Sequence, residues 1–174
     1  MGIATTKIQR PRLRAGQAMA RPALEQRLVQ ALCEQRLVLL VAPGGGGKTA
    51  LLVRALEQLP AGQVSCWVAL DAGDDLHRLL QCLWRALEPF DLPWRTSPEA
   101  LASMAASRDT REQQQAADEI INTLDRGDPA HGVIALDDLH HLDDPEALAF
   151  IDRLLPRLPE RWTLAVTARC EPAL

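Results

Sequence analysis

The residues with most chemistry in them are Ala42-Pro43-Gly44-Gly45-Gly46-Gly47-Lys48-Thr49, which read as a phosphate-binding loop. Glycines lack a Cβ, so the backbone can bend with successive N–H groups turned inward at an anion, and a following helix N-terminus adds its dipole to that concavity. Lys48 then reaches the β- and γ-phosphates of a nucleotide, and the Thr49 hydroxyl sits on Mg²⁺. The expected nucleotide-holding set is Pro43, Gly44, Gly45, Gly46, Gly47, Lys48, Thr49 and Ala50. A plain flexible loop is the alternative reading. It is disfavoured because four of the ten glycines of the chain fall together between an apolar run and a Lys-Thr pair. The pattern departs from its full form at its first position, where Ala42 stands for glycine.

Three further residues complete the chemistry. Val133-Ile134-Ala135-Leu136 reads as a buried strand that leaves directly into Asp137-Asp138, and Thr163-Leu164-Ala165-Val166-Thr167 reads as another, closed by Arg169. Phosphoryl transfer from ATP needs Mg²⁺ to neutralise charge, a group to orient or deprotonate water, and a cation on the γ-phosphate. Asp137 suits the metal together with Thr49; Asp138 suits the water; Arg169, with Lys48, suits the γ-phosphate. His140, His141, Asp143 and Asp144 crowd the same turn, but the ligand spacing of zinc sites is missing, and a polar turn is the expectation.

The elements that must position these groups follow from periodicity. Leu37-Val38-Leu39-Leu40-Val41 is a short apolar run before the glycines, and Ala50 to Leu56 has helical spacing after them. Before the run, Pro22 opens a helix through Leu24, Leu28, Ala31 and Leu32. Val64 to Leu70 reads as a second strand, ending at Asp71. A helix follows through Leu76, Leu79, Leu80, Leu83 and Leu87, and Pro89, Pro93 and Pro98 then break the chain. A polar helix is expected from about Thr110 to Leu124, with Ala116, Ala117, Ile120, Ile121 and Leu124 on its apolar stripe. Asp128 to Gly132 read as the turn into the third strand. Asp144-Pro145 caps and opens the last helix, which Pro156 and Pro159 end. Strands alternating with helices argue an α/β fold with a mainly parallel sheet and helices on both faces, a three-layer sandwich. Ligands bind such sheets outside the carboxyl ends of the strands, where the loop, the acidic pair and Arg169 all fall. Trp67 and Trp84 are expected in the core, and Trp94 and Trp162 at the edge of the domain.

The 174 residues, 47% hydrophobic and 24% charged, suffice for one ordinary domain with a core of its own. Charge is uneven. Residues 1–36 carry a balance of +5, which leaves −9 for the remainder of a chain whose net charge is −4. We therefore divide the chain into a basic arm with a lead-in helix, 1–36, and a nucleotide-binding core, 37–174. With no aromatic residue interleaved in it, the arm does not read as a nucleic-acid surface. Cys33, Cys66, Cys82 and Cys170 show no metal-ligand spacing, and no apolar stretch approaches the ~20 residues of a membrane span, so the expectation is a cytoplasmic protein with no membrane contact.

The loop Ala42 to Thr49, the strand Trp67-Val68-Ala69-Leu70-Asp71 with Asp74-Asp75 after it, Leu136-Asp137-Asp138-Leu139-His140 and Thr167-Ala168-Arg169 together resemble the P-loop domain of the signal-transduction ATPases with numerous domains, the STAND class. More narrowly they resemble the large ATP-binding regulators of the LuxR type, the group of the maltose-operon activator. Thr6-Lys7-Ile8-Gln9-Arg10-Pro11 and Arg21-Pro22-Ala23-Leu24 are similar to the start of that group, a segment implied to help hold the adenine end. The resemblance implies a P-loop NTPase fold with about four of its strands present, the N-terminal part of a longer protein in which a further strand flanks the loop strand. It implies an ATP/ADP switch in a bacterial transcription regulator, with slow Mg²⁺-dependent hydrolysis that is weak or absent in this chain alone. Self-association is expected in the full-length protein, and DNA contact only through a C-terminal domain outside these residues. Gly46 replaces a bulkier residue of that group, which is expected to loosen the loop. A small-molecule kinase and a non-catalytic nucleotide-binding scaffold are the alternatives: a kinase would need an acceptor site and an arginine-rich lid, and the intact acidic pair argues against a scaffold.

Overall fold

The computed structural model describes residues 4–13, 19–127 and 131–172. Its centre is a four-stranded, wholly parallel sheet of β1 (Leu37–Val41), β2 (Gln63–Ala69), β3 (His131–Asp137) and β4 (Trp162–Ala168), in the order β1-β4-β3-β2. Leu37 to Val41 pair with Leu164 to Ala168, and Gln63 to Ala69 with His131 to Asp137. The two central strands, β3 and β4, are buried at all seven positions each. A strand covered on both faces has no polar side to present, which is why both read as near-continuous apolar runs.

Alternate residues of each strand enter separate cores, because successive Cβ atoms point to opposite faces. Trp67, Val133, Ala135 and Ala165 pack with α2 (Pro22–Glu34) and α3 (Lys48–Glu57) on one face. Cys66, Val68, Ile134, Leu136, Leu164 and Val166 pack on the other against α4 (Leu76–Leu87), α5 (Pro98–Ala106), α6 (Thr110–Arg126) and α7 (Pro145–Arg157). The three-layer α/β sandwich expected from the alternation of elements is therefore the fold. No helix among the described residues is long and apolar enough to cross a membrane.

Four details differ from the sequence reading. Pro98 starts α5 where it was expected to break the chain: Ser97 caps that helix by accepting the N–H of Ala100, and proline at the first helical position loses nothing, since that N–H has no partner within the helix. β3 begins at His131, so His131 and Gly132 belong to the strand; residues 128–130 of the expected turn lie outside the described residues. Pro156 lies inside the last turn of α7, not beyond it. Trp162 is completely buried, not at an edge. The ring lies over Gly132, where a Cβ would come within 2.4 Å of it, so the glycine makes room for the indole.

The start of the basic arm is held to the acidic body by an ion pair as well as by apolar contacts of Ile8 and Leu13. On α1 (Thr5–Ile8), Lys7 donates to Asp74 Oδ1 at 2.7 Å and pairs with Asp71 at 2.9 Å, at the carboxyl end of β2. Burial works against its charge, but the bonds to Asp74 and Asp71 outweigh it and hold the Lys7 pKa above its ordinary value. Leu13 packs on the α2/α3 core, and Met19 lies beside the glycine loop.

Candidate functional site

β1 delivers the chain to the carboxyl end of the sheet, and the loop turns there into α3. Gly45 and Gly47 have φ of 77° and 80°, a left-handed backbone that a side chain resists, and a Cβ at either would point into open space. Gly46 donates its N–H to the Pro43 carbonyl at 3.1 Å. A Cβ on Gly46 would stand 3.0 Å from both the Ala42 methyl and the Pro43 oxygen. The two departures from the loop pattern therefore meet in space: a side chain at 46 would press on the methyl present at 42, so glycine at 46 fits beside Ala42. Lys48 is buried, its ammonium donating to the carbonyls of Ala42 at 2.8 Å and Pro43 at 3.3 Å.

Across 88 positions of sequence, the Thr49 hydroxyl lies 3.0 Å and 3.2 Å from the two carboxylate oxygens of Asp137. Asp137 is the last residue of β3 and is 6% exposed. Burial raises its pKa above the ordinary carboxylate value, with Asp138 adding to the effect and Thr167, Thr49 and Lys48 opposing it. The Thr167 hydroxyl of the adjacent strand donates to Asp137 Oδ1 at 2.6 Å and accepts the Asp138 N–H at 2.9 Å. One buried hydroxyl thus fixes both acids. Asp138 has φ 61° and ψ 44°, a left-handed conformation that aspartate tolerates better than most residues. That turn breaks the strand and frees the Asp138 side chain from strand alternation. On the far side of the loop, the Arg169 guanidinium lies 4.0 Å from the point where a Gly44 Cβ would be.

Lys48, Thr49, Asp137, Asp138 and Arg169 are thus gathered at the carboxyl ends of β1, β3 and β4, with Pro43 to Gly47 as an exposed loop and Lys48 to Ala50 as the first turn of α3. The rest of the acidic turn divides. Asp144 is structural, accepting N–H groups from Leu76 at 2.7 Å and Ala147 at 3.3 Å and so capping α7 while tying down the start of α4. His140 and His141 have ring centroids 4.1 Å apart in a tilted contact.

Two parts of the site go beyond the sequence reading, the second of them touched there only by the resemblance of the residue 21–24 segment. Thr167 has no role at the site in the sequence reading, where it belongs to a strand and to the Thr167-Ala168-Arg169 resemblance; the available signal is a hydroxyl one step before the end of an apolar strand, where a central position has no water to satisfy it. The second is a cavity of about 240 Å³ lined by Met19, Arg21, Glu25, the Gly45–Gly47 backbone, Leu51 and Arg54, with Ala50 also on its wall. Glu25 organises its back wall, accepting from the Arg21 N–H at 3.0 Å and Gln58 at 3.0 Å, with Arg54 at 3.7 Å. The backbone bond from Arg21, the Gln58 amide and the Arg54 charge together outweigh desolvation and hold its pKa below the ordinary carboxylate value.

A parallel α/β sheet with a glycine loop between an edge strand and a helix, and an acidic pair at the carboxyl end of β3, two strands away across β4, defines a nucleotide-binding ATPase module. The chain belongs to the AAA ATPase domain family, which it matches over residues 20–167. No curated protein matches it in sequence. Among solved structures it is similar to the Aeropyrum pernix Orc1 protein in complex with DNA, at 17% identity and a TM-score of 0.59, covering 85% of this chain and 38% of that one. It is also similar to Caenorhabditis elegans PCH-2, at 16% identity and a TM-score of 0.41, covering 87% of this chain and 36% of that one. The chain spans less than two fifths of the length of either solved protein.

Proposed function

We propose that this chain binds ATP and ADP with Mg²⁺ and hydrolyses ATP slowly, as the cytoplasmic switch module of a bacterial signal-responsive transcription regulator of the STAND class. The observation that carries the catalytic part is the contact between Thr49 and Asp137. A hydroxyl and a carboxylate of that kind are hard oxygen donors, brought together from the loop helix and a separate strand, and they suit Mg²⁺. Bound there, the metal would neutralise charge on the β- and γ-phosphates. The chain's own residues do the rest. Lys48 leaves the carbonyls of Ala42 and Pro43 for the phosphates, Arg169 reaches the γ-phosphate from across Gly44, and Asp138 orients the attacking water and accepts its proton. The cavity beside Arg21 and the loop takes the base, in accord with the resemblance of the residue 21–24 segment to one that holds adenine.

The regulatory part rests on the motif resemblance: exchange of ADP for ATP shifts the module from a resting to a self-associating form, and DNA is contacted by segments outside these residues. The test of the nucleotide reading is calorimetric titration of Lys48→Ala with ATP and ADP. The variant is expected to fold and to lose binding of both, because the ammonium supports the ligand and, among the described residues, is held by two loop carbonyls. Unchanged affinity in the folded variant refutes the assignment of the loop.

A further inference from the structure

His140 lies in the single turn Leu139–His141 that follows β3, directly behind the acidic pair. Its side chain is only 10% exposed, and both ring nitrogens are buried without a hydrogen-bond partner among the described residues. That is a costly arrangement, since an unsatisfied buried donor forfeits about 1–3 kcal/mol. The carboxylate it faces is that of Asp138, with Nδ1 3.7 Å from Oδ1, too long for a hydrogen bond and short enough to close by a small side-chain rotation. The other groups around the ring are the tilted His141 ring and the cations Lys48 and Arg169. Burial first, then His141 and the two cations, lower the His140 pKa, with Asp138 opposing. A neutral imidazole is poorly suited to holding phosphate, but it has one N–H to donate. The left-handed backbone of Asp138 turns its carboxylate out of the strand while leaving it within reach of this ring.

We propose that His140 is the positioning residue of Asp138: with nucleotide bound, its Nδ1–H closes onto the Asp138 carboxylate and fixes the oxygen that orients the attacking water. The inference rests on the reading of Asp138 as the water-orienting group, and it adds a second residue that touches no substrate atom.

Two measurements on this chain test it. In imidazole ¹⁵N NMR spectra recorded with Mg²⁺ and a non-hydrolysable ATP analogue, His140 should be neutral and protonated at Nδ1. The signal should move on Asp138→Asn, while those of His77 and His131 stay. A His140 signal that ignores Asp138→Asn overturns the pairing whether or not the chain turns over ATP. In steady-state hydrolysis, His140→Gln should lower kcat by as much as about 10²-fold, the cost of a misplaced catalytic group, with KM within twofold of the wild type. His140→Asn, whose amide nitrogen superposes on Nδ1, should recover most of the rate, whereas the amide of glutamine superposes on Nε2. Equal rates for the Asn and Gln variants, or an effect on KM alone, also overturn it. If Asp138→Asn itself leaves kcat unchanged, the water-orienting reading fails instead, and the NMR measurement still decides whether the two side chains pair.

Discussion

Thr167→Val is the substitution whose consequence the geometry specifies most closely. The side chain is completely buried, and valine nearly matches its shape, so packing is almost conserved and the change isolates the hydroxyl. Two bonds are lost: the 2.6 Å donation to the Asp137 carboxylate and the acceptance of the Asp138 N–H. The first, to a charged acceptor, is worth about 1.5–3 kcal/mol, and the buried N–H left without a partner costs a further ~1–3 kcal/mol. Allowing for relaxation, we expect a loss of about 3 kcal/mol, a large part of the ~5–15 kcal/mol of a typical domain. At roughly 2–4 °C per kcal/mol for a chain of this size, the melting temperature should fall by about 6–12 °C. Thr167→Ser keeps the hydroxyl and should lose only about 1 kcal/mol for one methyl group. The loss also depends on pH. The Asp137 pKa is raised in the folded protein, so its protonation favours the fold below the unfolded value, and that stability fades as pH rises through the folded value. Removing the Thr167 bond raises that pKa further, and the variant should therefore suffer more at neutral pH than in mild acid. Urea unfolding and calorimetry at two pH values measure both effects. A valine variant within about 0.5 kcal/mol of the wild type, or a serine variant as unstable as valine, refutes the account of Thr167 as the shared support of both acids.

By the same sign argument, Asp137→Asn should raise the stability of the nucleotide-free protein at neutral pH, read as an increased melting temperature, while weakening the Mg²⁺ dependence of ATP binding; a drop in melting temperature would contradict it. Asp138→Asn should retain Mg-ATP affinity in titration and lose hydrolysis, and identical effects of the two asparagines on binding would remove the distinction between them. Among the described residues β1 pairs only with β4, and Leu39 and Val41 on it are 36% and 46% exposed. An apolar edge of this kind is a template for association, so the chain should self-associate in light scattering and Leu39→Lys should shift it towards monomer; a wild type monomeric at every concentration would refute this.

The order of elements, the three-layer class and the loop were legible in the sequence because each depends on local signals. Apolar runs such as Leu37–Val41 and Val133–Leu136 mark buried parallel strands, and four glycines before Lys48 mark a backbone that must bend around an anion. Capping was local too, although Pro98 showed that the same residue which stops one helix opens another when serine precedes it. Proximity was not local. That Thr49 meets Asp137, and that Thr167 supports both acids, depends on the order β1-β4-β3-β2, which sets β4 between the loop strand and the acidic strand. Hydrophobic spacing fixes which face of a strand is buried but carries no information about which strand lies beside it. The burial of Trp162 over Gly132 and the Lys7 clamp on Asp71 and Asp74 arise the same way. Each is a contact between side chains or segments whose meeting only the packed three-layer arrangement decides.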